Sequence, residues 1–586
     1  MDVLKSLLYL WRYVWDFNKS YVFYAIAYQF TSALLPFSNI LMPKYILDEL
    51  VGQQRMPVLL LYIGILVSAN LLLNVASNFL NGRMTTTKTD IYYKFQMMLS
   101  RNIAQSDYEQ IESAAFLDIK EKAARFLFAN GTGFGLIEAA LNIIGKVFVF
   151  AGIIGILSTL NVWMIAIFAA LVLLSSFVES RARKTIAELD LENAKIERKS
   201  YYLVTRMEDF RTGKEIRLYH LADYLIEKIR GHFHSAQRIK AKQVTKKNLA
   251  LDFGAVTTGI RDLIAYLYVV YEVIRGGISI GDFSMYTSAV YQFSSAMTTV
   301  MQSFFDIQQY KVYFDAFQQY IHTPKHLRES SGPLPKAPYV LEFDHVSFRY
   351  ANQEKDALRD VSFRLESGEK LSIVGENGAG KTTLVKLLMR LYDPTQGRIL
   401  LNGVDIRSID YDAYQSILAA VFQDFQLFSF TLKENVCFDH AASDEAIRDL
   451  LTEAGLGPRL QSLSKGVHTY LYHDMDDEGF SPSGGEAQKI AIARALFKAG
   501  ARILILDEPT SAMDPRAEFE IYRQFSKLVE NRSAVYISHR LSSARFCDHI
   551  LVLKDGGIAE YGTFQQLYDK GGEFKELYDL QAQFYV

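Results

Sequence analysis

The chain has 586 residues and a mass of 66.7 kDa, too long for one ordinary domain; half of it is apolar, 22% is charged and the mean hydropathy is +0.04. This composition excludes a disordered, collagenous or mucin-like chain, and with two cysteines, Cys437 and Cys547, it excludes a disulfide scaffold and a cysteine-based zinc cluster. The net charge of −2 is a cancellation, because residues 1–330 carry +7 and residues 331–586 carry −9. Two unlike halves are therefore expected.

At the start of the chain, Leu4, Leu7, Leu8, Trp11, Val14 and Trp15 recur at helical spacing, with Lys5, Arg12 and Lys19 off that stripe or at its end. Residues 1–20 are predicted as an amphipathic helix. It either lies along the inner membrane surface or packs its stripe against the first span. No cleavable secretory signal is visible, since no small-residue cleavage pattern follows the first apolar run.

Residues 21–320 predict six membrane spans. Val147 to Val178 holds no charged residue, which is long for one span of about 20 residues, so a turn is expected at Ser158-Thr159-Leu160-Asn161. The other spans fall near 21–43, 57–80, 253–275 and 283–305. Seven Lys/Arg lie in Arg83–Arg125 and seventeen in Arg181–Lys247, whereas the connections near 44–56, 158–161 and 276–282 carry only Lys44 and Arg55. Positive loops stay on the cytoplasmic side. That places the N-terminus, both long loops and the second half in the cytoplasm, beneath the cell membrane. The long loops keep helical apolar spacing, as in Tyr202, Met207, Phe210, Ile216 and Leu218, and read as spans extended into the cytoplasm. Glu138, Lys146, Arg261 and Asp262 sit at membrane depth, where charges face a bundle interior or a wet path; a substrate path and a packing role both remain open. Four of the twelve prolines, Pro324, Pro333, Pro335 and Pro338, mark residues 321–340 as a linker.

Residues 341–586 carry the chemistry. The apolar strand Leu371–Val374 runs into Gly375-Glu376-Asn377-Gly378-Ala379-Gly380-Lys381-Thr382-Thr383 and then a helical stretch. This is a phosphate-binding loop in its required setting: glycines let the backbone N–H groups wrap phosphates, and the helix start favours anions. Lys381 would reach the β- and γ-phosphates and the Thr382 hydroxyl would bind Mg²⁺. A second buried strand, Ile503–Leu506, ends in Asp507, placed for the Mg²⁺ shell, and Glu508, placed to polarise a water. A third, Ala534–Ser538, delivers His539, which can contact the γ-phosphate.

With these residues the second half resembles the nucleotide-binding domain of ABC transporters, over 341–583. The resemblance implies that Tyr350 stacks on adenine, that Gln423 in Val421-Phe422-Gln423-Asp424 senses Mg²⁺, and that Ser483-Gly484-Gly485-Glu486 is the signature. Ser511-Ala512-Met513-Asp514 would be the D-loop and His539 the switch histidine. The signature would cap the γ-phosphate of ATP held by a second, facing chain, so the chain must dimerise. The first half is similar to the six-span domain of type I ABC exporters. Lys214–Tyr219 looks like a stretch of the peptide, lantibiotic and multidrug group, and Gly277–Phe283 resembles the turn before the sixth span. Ser106–Asp118 and Met207–Lys214 would lie near the cytoplasmic tips that couple to the ATPase domains. Two positions depart from the usual signature: Pro482 stands where Leu is usual and Glu486 where Gln is usual. Both a homodimer, slightly favoured, and a heterodimer fit. No cysteine precedes the first span, so no leader-cleaving cysteine-protease domain is expected.

The expected fold is thus an all-α polytopic membrane domain, with six transmembrane helices and long cytoplasmic extensions, followed by an α/β P-loop ATPase domain. The expected function is ATP-driven export of a peptide, drug or lipid-like amphiphile by alternating access, with ATP and Mg²⁺ as cofactors, the bilayer and a second half-transporter as partners, and no nucleic acid. An ATP-switched membrane sensor without net transport is the alternative.

Overall fold

The computed structural model describes residues 3–128, 135–160, 162–209, 212–351, 353–438, 442–507, 532–537 and 541–583. The chain divides into two compact units. One comprises Met1–Ala104 and Ala115–Thr323; the other comprises Gln105–Ala114 and Pro324–Val586.

The first unit is helical. Its elements are α1 (Val3–Phe17), α2 (Lys19–Val51), α3 (Met56–Gln105) and, after the short α4 (Tyr108–Ile111), α5 (Ala114–Phe128), α6 (Gly135–Ser158), α7 (Val162–Glu208), α8 (Gly213–Leu218), α9 (Ala222–Ile274) and α10 (Ile280–Ile321). At 1.5 Å per residue, the 50-residue α3 and the 53-residue α9 are about 75–80 Å long, more than twice a bilayer's hydrocarbon core. Four described helices, α3, α6, α7 and α9, are long and apolar enough to cross a membrane. The segments 21–43 and 283–305 are also helical, within α2 and α10, but more polar.

Local chemistry sets the boundaries. Asn18 caps α2 by accepting from the Ser20 N–H at 3.1 Å. Between α6 and α7 the turn is held by Ser158 Oγ donating to Gly155 O at 2.8 Å and Thr159 Oγ1 donating to Ile156 O at 2.7 Å. Ser279 and Asp282 form a reciprocal capping box that opens α10. Asp282 also pairs with Lys44 at 2.6 Å, and Asp48 Oδ1 accepts from the Gly281 N–H at 3.0 Å, so the end of α2 fixes the start of α10.

The core of this unit interleaves Ala33 and Ile40 of α2, Val149 and Ile153 of α6, Phe168 of α7, Val269 of α9 and Ala289 and Phe293 of α10. A second cluster is aromatic. Phe95 meets Phe17, Phe126 and Phe317 edge-on, with ring centroids 5.1, 5.9 and 5.5 Å apart. By contrast, Leu60, Leu61, Val67, Leu71, Leu72, Val75 and Phe79 of α3 are all exposed, a surface suited to hydrocarbon rather than water. In α1, Ser6, Leu10 and Val14 are buried within the unit, while Leu4, Leu8 and Trp15 are exposed on the opposite face. Of the charges expected at membrane depth, Glu138 pairs with Lys88, and the buried Arg261 (3% exposed) pairs with Asp262 at 2.7 Å. Both carboxylates are thus neutralised by packing partners.

The second unit is α/β. Its strands are β1 (Leu341–Phe348), β2 (Leu358–Leu365), β3 (Lys370–Gly375), β4 (Gln396–Leu401), β5 (Val404–Asp405), β6 (Leu418–Val421), β7 (Ile503–Asp507), β8 (Ser533–Ile537), β9 (His549–Lys554) and β10 (Gly557–Gly562). An antiparallel sheet has the order β2-β1-β4-β5, and a six-stranded sheet has the order β10-β9-β3-β8-β7-β6, parallel except for β10. Every residue of β7 and β8 is buried, which is why these strands read as continuous apolar runs rather than alternating ones. Its described α-helices include α11 (Lys381–Leu388), α12 (Tyr411–Ser416), α13 (Leu432–Val436), α14 (Asp444–Glu453), α15 (Gly457–Ser462) and α16 (Gly484–Phe497). Leu384, Leu387 and Leu388 of α11 pack with Phe343, Val361, Ile373 and Val535 of both sheets. α16 is apolar on two sides because two clusters grip it: Ile490 and Ala493 join Leu432, Ile447 and Leu451, while Ala491 and Ala495 join Leu504, Leu506 and Tyr536.

Of residues 321–340, expected as a linker, the part from Pro324 onward belongs to this unit and is pinned along it. Gly332 N–H donates to Ser408 O at 3.1 Å, Ser330 Oγ to Ile409 O at 2.6 Å, and Arg328 pairs with Asp412 at 2.6 Å. The short segment carrying α4 is pinned to the same unit: Gln110 donates to Pro324 O at 2.6 Å, and Lys325 to Gln105 Oε1 at 3.0 Å.

Candidate nucleotide site

The parallel sheet decides which residues meet. β3 and β8 pair Ile373 with Ile537, β7 and β8 pair Asp507 with Ile537, and β6 and β7 pair Val421 with Leu506. The ends of β3, β8, β7 and β6 therefore lie side by side on one edge. The Gly375 loop leaves from β3 and Asp507 ends β7, two strand spacings or roughly 10 Å away. Gln423 follows β6 on the same edge and is exposed. Ligands of open α/β sheets sit beyond the carboxyl ends of the strands, where helices begin. Residues far apart in sequence are thus gathered by strand order alone.

The loop has the backbone that phosphate wrapping requires. Gly375, Gly378 and Gly380 have φ of 148°, 83° and 106°, a region that residues with a Cβ rarely adopt. A Cβ on Gly380 would also come within 2.8 Å of Ala357 O. Asn377 and Ala379 complete the turn, with Ala379 N–H donating to Glu376 O at 3.2 Å. Lys381 is 6% exposed, and its Nζ donates to Gly375 O at 2.8 Å and Glu376 O at 2.9 Å, so the ammonium lies inside the loop rather than in solvent. α11 starts at Lys381, which aims its first N–H groups at the same place. Thr382 is exposed, whereas Thr383 is buried and its hydroxyl is 3.1 Å from the Tyr350 hydroxyl. These residues suit a nucleoside polyphosphate, and the exposed Thr382 hydroxyl, Gln423 and the Asp507 carboxylate (7% exposed) are oxygen donors of the kind Mg²⁺ takes.

Tyr350 belongs to an aromatic group that sequence reading did not foresee. Its ring meets Phe348 and Tyr392 edge-on at 4.9 and 5.5 Å. Lys386 of α11 lies 5.2, 5.6 and 5.5 Å from the rings of Tyr108, Tyr350 and Tyr392, and its Nζ is 2.9 Å from Glu112 Oε1. Tyr392 donates its hydroxyl to the other Glu112 oxygen. Burial alone would push the Glu112 carboxyl up, but the hydrogen bonds from Tyr392 and Lys386 outweigh it and hold it below the usual glutamate range. No sequence signal links Glu112 to Lys386, because the pairing exists only after the α4 segment docks.

The signature residues Ser483, Gly484 and Gly485 open α16. Ser483 is the N-cap: its Oγ accepts from Glu486 N–H at 3.3 Å, while its own N–H and O–H both donate to Glu486 Oε2 at 2.9 Å. Glu486 is thus the fourth member of a capping box, a Ser-x-x-Glu pattern visible in the sequence. Burial alone would raise its carboxyl, but these bonds and Arg459, 3.0 Å away, bring it below the ordinary range. Arg494 of α16 donates to Gln426 O and Asn435 O at 3.0 and 2.8 Å, which ties the segment after Gln423 to the signature helix. Glu508, Ser511–Asp514 and His539 lie outside the described residues.

The family profile described as ABC transporter matches residues 358–511. The subtilin transport ATP-binding protein SpaT of Bacillus subtilis is 28% identical over 96% of this chain and 92% of its own length. The nisin transport ATP-binding protein NisT of Lactococcus lactis is 26% identical over 97% and 94%. Among solved structures, a bacterial Atm1-family ABC exporter with ATP bound superposes with a TM-score of 0.79 at 21% identity, covering 97% of this chain and 99% of that one. That likeness establishes the exporter fold along the whole chain.

Proposed function

This chain belongs to the ABC transporters of exporter architecture, ATPases that work as dimers of half-transporters, and we propose that it uses ATP and Mg²⁺ to move an amphipathic peptide out of the cytoplasm across the cell membrane. The observation that carries the proposal is one polypeptide holding both membrane-length helices and a phosphate loop with Asp507 on the same sheet edge. In this reading Gly375, Asn377, Gly378, Ala379, Gly380 and Thr383 form the phosphate cradle, and Tyr350 carries the adenine. Lys381 neutralises the β- and γ-phosphates. Thr382, Gln423 and Asp507 hold Mg²⁺, which when bound supplies charge neutralisation at the transferred phosphate. Glu508 orients the attacking water, and His539 contacts the γ-phosphate. Ser483, Gly484 and Gly485 cap the phosphate of the facing chain, as N–H groups at a helix start do. The membrane unit spans 21–320 and the ATPase domain 341–586. The peptide is favoured over a drug or a lipid-like amphiphile because the two relatives that align along nearly the whole chain are named for transport of subtilin and of nisin.

The experiment is flux in sealed inside-out vesicles containing the full chain. ATP should drive accumulation of a labelled amphipathic peptide, and Glu508→Gln should abolish it. ATP hydrolysis without movement of any tested amphiphile would favour the ATP-switched sensor instead.

A further inference from the structure

Ser483 has two donors to offer a phosphate, its N–H and its O–H, and both are already given to one oxygen of Glu486 at 2.9 Å. A carboxylate therefore sits where the phosphate of the facing chain would take its hydrogen bonds. The two anions compete for the same donors and repel each other at close range. The other oxygen of that carboxylate, Oε1, lies 3.0 Å from Nε of Arg459, on α15. The Arg459 guanidinium is itself steadied by the Phe480 ring, 5.1 Å away. Lys489, the other cation near Glu486, donates to Gly455 O at 2.9 Å. Arg459 is thus placed to keep hold of Glu486 when Oε2 leaves Ser483.

We propose that Glu486 is a resident anion on the signature serine and that Arg459 is the positioning residue that holds the carboxylate aside when the γ-phosphate of ATP takes the Ser483 donors. This rests on the proposed reading of Ser483 as a phosphate cap. It gives the Glu486 variant of the signature a function: the carboxylate satisfies the helix start before ATP arrives, and Arg459 compensates its charge afterwards. A purely structural capping box needs no Arg459, since Gln at the same position also reaches back to the N-cap.

The test is ATP hydrolysis by the full chain in lipid nanodiscs, with ADP as competitive inhibitor. Arg459→Gln should raise the KM for ATP about fivefold, the size of one partly exposed charge pair, with kcat within about twofold. The inhibition constant of ADP should not move, because ADP has no γ-phosphate to meet Ser483. In a Glu486→Gln background the same Arg459→Gln change should leave KM where Glu486→Gln sets it, and Arg459→Lys should recover most of the native KM. An equal rise of KM in both backgrounds, or a parallel rise for ADP, would overturn the proposal; thermal unfolding of each variant identifies any that are merely destabilised, and the Arg459→Lys protein then carries the comparison. Ser483→Ala tests the underlying reading separately. Unchanged hydrolysis there removes the phosphate-cap role itself, whereas loss of hydrolysis with a flat Arg459–Glu486 cycle removes only the role of Arg459.

Discussion

Lys381 and Glu508, which are proposed to serve binding and turnover respectively, should fail in opposite ways. Lys381 is buried inside the loop with its ammonium on Gly375 O and Glu376 O, so its loss removes both a positive charge facing the phosphates and an internal brace of the loop. Lys381→Ala should weaken ATP binding by at least about tenfold, since a charge-assisted hydrogen bond contributes roughly 1.5–3 kcal/mol. Glu508 follows Asp507 at the end of a fully buried strand, and its proposed work is on the attacking water rather than on the nucleotide. Glu508→Gln should therefore keep ATP affinity within about twofold and cut turnover by roughly a hundredfold or more. Equilibrium binding of a fluorescent ATP analogue, measured beside single-turnover hydrolysis, separates the two. Normal ATP affinity in Lys381→Ala would contradict the phosphate-loop reading, and unchanged turnover in Glu508→Gln would take Glu508 out of the reaction.

Among the elements, α4 (Tyr108–Ile111) is followed directly by Glu112, which ties its segment to α11. The segment Gln105–Ala114 belongs to the ATPase unit, although the helices leading into and out of it belong to the other unit. Glu112 joins it to Lys386, a residue of the helix that begins at the phosphate loop, and Lys386 in turn touches the ring of Tyr350. The pair should carry movement between the nucleotide and the chain that enters the membrane. Glu112→Lys should reduce stimulation of ATP hydrolysis by the proposed peptide substrate about two- to fivefold with basal hydrolysis retained, as expected for a part-exposed ion pair. The exchanged pair, Glu112→Lys with Lys386→Glu, should recover at least half of the stimulation; no recovery would mean that shape rather than charge matters there. Because the Glu112 carboxyl is held below its ordinary range, the tie is complete above the usual glutamate pKa and weakens as pH falls through the depressed one. Stimulation should fade on acidification before basal hydrolysis does. Sequence alone placed residues 106–118 near a coupling tip but could not name Glu112 or Lys386, because no periodicity or motif joins positions that meet only when the segment docks.

For the whole molecule, the parts legible in advance were those with a local physical signature. Uncharged stretches, glycines before a lysine and apolar runs ending in acids are local signals, and they located helices, the loop and the strand of Asp507. What stayed hidden were juxtapositions made by strand order, such as β8 between β3 and β7, and by side chains meeting across elements, such as Arg459 with Glu486. The same limit applies to assembly. The chain has one phosphate loop and one signature. If the signature serves the loop of a facing chain, a monomer has no complete site, and two copies have two. A pairing in which loop faces signature and signature faces loop is isologous and closes on itself as a two-fold dimer. The chain purified alone into detergent should then hydrolyse ATP, and its specific activity should fall on dilution below the dimer dissociation constant and return on reconcentration. Specific activity that is independent of dilution down to nanomolar chain, with a monomeric mass by light scattering, would contradict capping by a second chain. Hydrolysis that appears only when a different half-transporter is added would assign the chain to a heterodimer, and the Glu486 signature would then face the phosphate loop of an unlike subunit.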